Sequence, residues 1–141
     1  TGAIPTDPEN HDLMCHLRAE KVAKIPVPDV EVQGCADDAD LLIVGFGGTY
    51  GHLYSAMEEM NKAGKKVALA HFTYLNPLPK NTETVLKKYK KVVVAEQNLG
   101  QFAGYLRMKI DNFTPYQFNE VKGQPFVVAE LVAAFNKLID N

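Results

Sequence analysis

The chain has 141 residues, of which 46% are hydrophobic and 23% charged, a composition typical of one soluble globular domain with an extension. A formal net charge of −2 and a pI near 6.0 give no reason to expect nucleic acid or an acidic membrane as partner. No apolar run approaches the ~20 residues that cross a bilayer, and the polar first residues predict no signal peptide.

The two cysteines, Cys15 and Cys35, are not spaced as a metal-binding pair, which favours a reducing, cytoplasmic location. They are also too few for an iron–sulfur cluster, which normally takes four thiolates. Because the chain begins with Thr1 rather than methionine, we interpret it as a piece of a longer polypeptide.

Residues 1–38 are predicted to form a helical arm and an extended linker. Asp7-Pro8-Glu9 is typical of a helix start, with an N-cap, proline at the first position and acid in the first turn. This helix would extend to about Ile25, where two prolines end it. The linker that follows contains a predicted edge strand at residues 30–33.

Residues 39–141 are predicted to form an α/β domain, because short apolar runs alternate with amphipathic helices. The predicted strands are residues 41–46, 67–72, 92–95 and 116–121. The first predicted helix has the buried stripe Leu53, Met57 and Met60 and is ended by Gly64, and a short helix capped by Asn81 follows the second strand. The next helix is capped by Asn98 and has the stripe Leu99, Phe102, Ala103, Leu106 and Ile110. The last has the stripe Val128, Leu131, Val132, Phe135 and Leu138. Crossovers of this length require parallel strands, which gives a doubly wound, mostly parallel sheet of about four or five strands.

A switch in winding direction is expected between strands 41–46 and 92–95. Ligands and partners of open α/β sheets gather at the carboxyl ends of the strands that flank such a point. We therefore predict a domain or subunit interface there, formed by Gly47, Gly48, Thr49, Tyr50, Gly51, Glu96, Asn98, Gly100 and Gln101. A helix cap explains Asn98, and a close approach of the helix to a neighbour explains Gly100, but neither explains Glu96 and Gln101 as well.

Other motifs have simpler explanations. The glycine turn departs from a dinucleotide fingerprint, since Tyr50 stands where a glycine is needed and residues 70–73 lack the expected acid. His52 and His71 lie near the same edge but have no nucleophile or carboxylate in the local sequence, which favours core or interface histidines.

Two further clusters are interpreted as ordinary helix features. His11, Cys15 and His16 lack the further ligands that a metal ion would need. The basic run at residues 87–91 is favoured as a solvated helix end rather than as a docking site for an acidic protein such as ferredoxin. No metal or catalytic residues are predicted in this chain.

Four segments resemble, in order, the motifs of one known family. They are Gly48-Thr49-Tyr50-Gly51, Tyr74-Leu75-Asn76-Pro77-Leu78-Pro79, Glu96-x-Asn98-Leu99-Gly100-Gln101 and Val121-Lys122-Gly123-Gln124-Pro125-Phe126. Segments 1–2, 7–11 and 17–21 add to the resemblance, which covers nearly the whole chain. The chain is similar to the C-terminal domain of the α subunit of 2-oxoacid:ferredoxin oxidoreductases, most of all the 2-oxoglutarate type.

The resemblance implies a three-layer α/β/α domain of the transketolase C-terminal type. It also implies that the complete enzyme converts a 2-oxoacid and CoA to acyl-CoA and CO2 with reduction of ferredoxin, using thiamine diphosphate, magnesium and an iron–sulfur cluster. This domain would hold no cofactor and would serve assembly. Its implied partners are the preceding pyrimidine-binding domain, the β subunit and ferredoxin, and a contact between two copies of the subunit stays open.

One departure from the family pattern concerns the last helix. Relatives usually have Thr or Ser after Pro-Phe, where it would form a capping box with Glu130, but this chain has Val127. The missing cap should cost about 1 kcal/mol.

Two alternatives to the assembly role remain. One is a stand-alone phosphate- or small-molecule-binding module that uses the turn Gly45–Gly51 and two helix N-termini as an anion site. The other is a flavodoxin-like redox domain.

Overall fold

A computed structural model describes residues 26–120 and 123–141. Their helices and strands are β1 (Val32–Gly34), β2 (Leu41–Phe46), a 3₁₀ turn (Gly47–Thr49), α1 (Tyr50–Lys62), β3 (Val67–Phe72), α2 (Thr82–Lys88), β4 (Val92–Glu96), α3 (Gln101–Lys109), β5 (Tyr116–Asn119) and α4 (Val128–Asp140). The predicted arm helix, with His11, Cys15 and His16, lies outside the described residues, as does Val121 of the predicted outer strand.

One five-stranded sheet has the order β1-β3-β2-β4-β5. Strands β3, β2, β4 and β5 are parallel, and β1 is an antiparallel edge strand on β3. The chain moves outward from β2 to β3 and then returns across β2 to β4, so the predicted switch point between β2 and β4 is confirmed. The doubly wound, mostly parallel fold predicted from the sequence is therefore confirmed.

Each face of the sheet has its own apolar layer, which makes the domain three-layered. Helices α2 and α3 cover one face, where the core includes Phe72, Leu86, Phe102 and Leu106. Helices α1 and α4 cover the other face, where Leu53, Met60, Leu131 and Phe135 are buried. Strands β2 and β4 are buried on both faces, which explains why their sequences are continuous apolar runs rather than alternating ones.

Three local predictions were wrong in informative ways. Asn81 stands before α2 but its side chain does not cap that helix. It instead accepts a hydrogen bond from the Val30 amide and donates one to the Val30 carbonyl, both at 2.9 Å, and so ties the linker to the domain. The edge strand accordingly begins at Val32, two residues later than predicted.

The third error concerns Leu99, which was assigned to the buried stripe of α3. That helix begins only at Gln101, after Gly100 adopts a left-handed conformation with φ +97°. The turn breaks the helical register, and Leu99 is 86% exposed. At the start of α4 the expectation was met, because Val127 occupies the N-cap position and makes no side-chain capping bond.

Candidate functional site

The carboxyl ends of β2 and β4 form the central part of one sheet edge. Val44 pairs with Val94, and parallel strands lie about 4.8 Å apart, so the segments after the two strands emerge side by side. Gly45 is required here, because a Cβ at this position would clash with the buried Leu53 side chain. We call residues 47–51 together with residues 97–101 the switch-point edge.

The first half of the switch-point edge is the turn after β2. Thr49 is buried, and its hydroxyl donates to the Phe46 carbonyl at 2.9 Å, which closes the 3₁₀ turn. Tyr50 is 39% exposed and donates its hydroxyl hydrogen bond to the Gln33 side chain at 2.9 Å. Gly48 and Gly51 are exposed, and a Cβ at either position would meet nothing within 4 Å. Packing inside the domain therefore does not explain why these two positions lack side chains.

Glu96 lies beneath the second half of the edge and is 0% exposed. One carboxylate oxygen accepts a hydrogen bond from the Phe102 amide at 2.9 Å, and the other accepts one from the Ala103 amide at 3.0 Å. These donors belong to the first turn of α3, where a carboxylate also interacts favourably with the helix dipole. Glu96 thus holds the helix to the end of β4, and its side chain is not on the surface.

The loop between Glu96 and α3 is held by its own carboxamides. The Asn98 side-chain oxygen accepts hydrogen bonds from the amides of Gly100 at 3.2 Å and Gln101 at 3.3 Å. The Gln101 side-chain oxygen accepts from the Leu99 amide at 2.8 Å. Asn98 therefore supports the helix start, as predicted, although the N-cap residue itself is Gly100.

One hydrogen bond and one close approach relate this loop to the rest of the domain. The Gln97 side chain donates to the Gln124 carbonyl at 2.6 Å. A Cβ at Gly100 would lie 2.6 Å from the Gln117 side-chain oxygen, so that neighbour and the positive φ both favour glycine. A hydrogen bond on one side and a steric requirement for glycine on the other thus both favour this loop conformation.

The two histidines near the edge differ in environment. His52 is exposed on the first turn of α1, whereas His71 is half-buried, with its ring edge-on to Tyr50 at 5.1 Å between centroids. Burial lowers the pKa of His71 below its ordinary value, and a hydrogen bond to the Gly47 backbone partly opposes this shift. Its surroundings therefore favour the neutral imidazole, and His71 lines a groove of about 430 Å³ with Asp29, Glu31, Gln33 and Tyr74.

The described residues do not fit a metal centre or a cluster. Within residues 26–120 and 123–141, no group of three or more His, Cys, Asp or Glu side chains could hold a metal ion. The whole sequence has two cysteines, fewer than the four thiolates of a typical iron–sulfur cluster. None of the described helices is long and apolar enough to span a bilayer.

The fold first defines a broad class. A split-gene transketolase, solved as an inactive β4 tetramer, has a TM-score of 0.59 with 16% identity and covers 83% of this chain and 44% of that one. At this identity the likeness shows the fold alone. The chain is thus an α/β domain with a transketolase-like architecture.

The family follows from the sequence. The pyruvate:ferredoxin oxidoreductase core domain II family matches residues 39–128. The chain belongs to this family, and the resemblance found from its motifs is confirmed.

Two relatives are much longer than this chain. The 2-oxoglutarate oxidoreductase subunit KorA of Mycobacterium tuberculosis is 44% identical over 133 residues, which are 93% of this chain and 20% of that protein. The 2-oxoglutarate:ferredoxin oxidoreductase of Magnetococcus marinus, solved with 2-oxoglutarate, coenzyme A and succinyl-CoA bound, has a TM-score of 0.77 and 29% identity over 99% of this chain and 25% of that one. The chain therefore spans only about a fifth to a quarter of these relatives.

Proposed function

We propose that this chain is the C-terminal assembly domain of the α subunit of a cytoplasmic, thiamine-diphosphate-dependent 2-oxoacid:ferredoxin oxidoreductase. The complete enzyme would convert a 2-oxoacid and CoA to acyl-CoA and CO2 and reduce ferredoxin. The names of the M. tuberculosis and M. marinus relatives favour 2-oxoglutarate as its substrate. The proposal includes a boundary near residue 39, where the match to the family begins.

The proposed role of the domain is to hold the switch-point edge in a fixed shape against neighbouring protein. The partners would be the preceding pyrimidine-binding domain, the β subunit, or both. The observation that carries this proposal is the bonding of residues 96–101, which fixes an outward-facing loop at the switch point. Glu96 contributes by holding the loop from below.

The cofactors would be held elsewhere in the complete enzyme. The sequence lacks the thiolates of a cluster, and the described residues lack a metal-ligand group. Thiamine diphosphate would supply the decarboxylation chemistry from a site formed by other parts of the enzyme. Magnesium would accompany the diphosphate there, and the iron–sulfur cluster would pass electrons to ferredoxin.

The alternative phosphate-binding role meets an electrostatic obstacle. The first-turn amides of α3 already bond to the Glu96 carboxylate, so a phosphate placed there would meet a fixed negative charge. At the other candidate helix start, residues 41–61 contain no Lys or Arg to balance an anion. Both features favour assembly over anion binding.

The assembly role is tested by replacing the loop carboxamides in the complete enzyme. We expect the double variant Asn98→Ala/Gln101→Ala to weaken assembly or turnover, because the loop loses the bonds that fix its shape. Glu58→Ala/Glu59→Ala is the matched control, since both side chains are exposed on α1 and should leave assembly unchanged. Wild-type assembly and turnover in Asn98→Ala/Gln101→Ala would refute the role.

Calorimetry of the chain with thiamine diphosphate, CoA and nucleotides separates the assembly role from the phosphate-binding alternative. The assembly role predicts no appreciable heat of binding for any of them. Micromolar binding of one of these ligands would favour the alternative instead. A flavin spectrum in the purified chain would favour the flavodoxin-like domain.

A further inference from the structure

The groove that His71 lines brings together three separate parts of the chain. The linker contributes Asp29 and Glu31, the first turn of α1 contributes Tyr50, and the loop after β3 contributes Tyr74. The groove lies at the carboxyl end of β3, the end of a parallel strand where open α/β sheets bind their ligands and partners. Neither the helix packing nor the bonds of residues 96–101 account for it.

The groove is acidic. Asp29 and Glu31 are exposed, and no Lys or Arg is among the described residues that line it. The ion pairs found within the described part of the chain include neither carboxylate. Two unbalanced carboxylates in one groove favour a positively charged occupant and disfavour a phosphate or another acid.

Two tyrosine rings make the groove suited to arginine in particular. Tyr50 is 39% exposed and Tyr74 is 46% exposed. A guanidinium stacks on aromatic rings and bonds to carboxylates through its planar set of N–H groups, which an ammonium group does less well. Both tyrosines belong to segments that carry the family resemblance, 48–51 and 74–79.

His71 adds an acceptor that lacks a donor. Its Nε2 atom is shielded from solvent and forms no hydrogen bond within the described residues. The ring bonds to the Gly47 backbone in a way that favours a proton on the other nitrogen, so Nε2 of the neutral ring carries a lone pair. A buried acceptor without a donor is costly, and an arginine supplies N–H donors.

The sequence supplies one arginine near the groove. The chain contains two, of which Arg107 lies on α3, away from the groove. The other, Arg18, lies outside the described residues and ten positions before Pro28, which lines the groove. Ten residues span up to about 33 Å of extended chain, enough for Arg18 to reach the carboxylates. Arg18 also belongs to segment 17–21, which shares the family resemblance.

We propose that the guanidinium of Arg18 occupies this groove, where it pairs with Asp29 and Glu31 and lies against the tyrosine rings. The contact ties the segment before the linker to the α/β domain and so sets the direction from which the polypeptide enters it. The inference goes beyond the assembly role, because both partners in the contact belong to this chain.

Photo-crosslinking in the complete enzyme identifies the occupant directly. Tyr74 is replaced by p-benzoylphenylalanine, which bonds on illumination to the residues that it touches, and the linked peptides are identified by mass spectrometry. The same replacement of Met108, which is 75% exposed on α3, is the matched control. We expect position 74, but not position 108, to link to residues 14–22. A link from position 74 to another part of the subunit, to another subunit or to a second copy would overturn the proposal, as would no link.

A charge exchange tests the pairing itself. Arg18→Glu should lower the yield of the crosslink about fivefold or more, because like charges then face each other. Adding Glu31→Arg should restore at least half of the yield, whereas adding Glu59→Arg, at an exposed site on α1, should not. Equal yields from these two double variants would overturn the pairing. The assembly role is tested separately by Asn98→Ala/Gln101→Ala, so either proposal can fail alone.

Discussion

Replacing Glu96 by glutamine perturbs the domain at the point where β4, the loop and α3 meet. The substitution preserves the size and shape of the side chain but removes its charge and converts one acceptor oxygen into an NH2 donor. Because both oxygens accept backbone amides, at 2.9 and 3.0 Å, either orientation of the new amide leaves one helix donor facing another donor.

The expected cost follows from those two bonds. A hydrogen bond to a charged group contributes about 1.5–3 kcal/mol net, and a neutral bond about 1 kcal/mol. Glutamine replaces two charged bonds by one neutral bond and leaves one buried amide unpaired, so Glu96→Gln should lower the free energy of unfolding by about 2–5 kcal/mol. This is a large part of the 5–15 kcal/mol that stabilises a typical domain.

Equilibrium unfolding in urea, followed by circular dichroism, measures this loss. The matched control is Glu83→Gln, the same chemical change at an exposed site where Glu83 pairs with Lys87 at 3.1 Å. That variant should lose no more than about 0.5 kcal/mol, as surface pairs within a helix do. If the two variants unfold at the same urea concentration with equal slopes, the Glu96 bonds do not stabilise the domain by the expected amount.

Three further predictions concern other parts of the domain. Burial lowers the pKa of His71, so its contribution to stability is complete above pH about 6.5 and is lost as the pH falls. His71→Gln should therefore flatten the acid side of a plot of Tm against pH, and an unchanged slope would contradict this. Lys91 donates to the carbonyls of Leu138 at 2.6 Å and Ile139 at 3.1 Å in the last turn of α4, so Lys91→Met should cost about 1–2 kcal/mol in urea unfolding, and no loss would contradict the capping role. Asn81→Ala should cost about 1–3 kcal/mol and speed amide exchange in the linker at residues 30–34; unchanged exchange would count against it.

The layered sheet could be predicted from the sequence because its central strands are buried on both faces. Burial forces β2, β3 and β4 to be continuous apolar runs, and such runs are visible without coordinates. The long crossovers between these strands then predict that they pair in parallel. A return of the chain across β2 to β4 predicts the point where the direction of winding changes.

The predictions for Leu99 and Asn81 were wrong because a local conformation or a distant hydrogen bond outweighs the sequence pattern. Periodicity placed Leu99 in the buried stripe because it cannot register the left-handed turn at Gly100. Asn81 matched the capping preference, but pairing with the backbone of Val30 across 51 positions of sequence was the stronger interaction. Such a long-range bond leaves no local sequence signal.

Glu96 was predicted as a residue of the interface, but its burial and its bonds to the first turn of α3 were not predicted. A signal was present, since an acid directly after the apolar run 92–95 must be paired if it is buried. The nearest unpaired donors are the first amides of the next helix, six and seven residues later. That spacing could have suggested a carboxylate that supports the edge from within.

Hydrogen exchange read by mass spectrometry measures whether the switch-point edge is covered in the complete enzyme, by comparing that enzyme with this chain alone. If the switch-point edge docks onto neighbouring protein, peptides covering residues 47–51 and 97–101 should exchange at least tenfold more slowly in the complete enzyme, while the exposed face of α2 exchanges equally in both. Equal exchange of the edge peptides in the two preparations would show that the switch-point edge does not dock onto neighbouring protein.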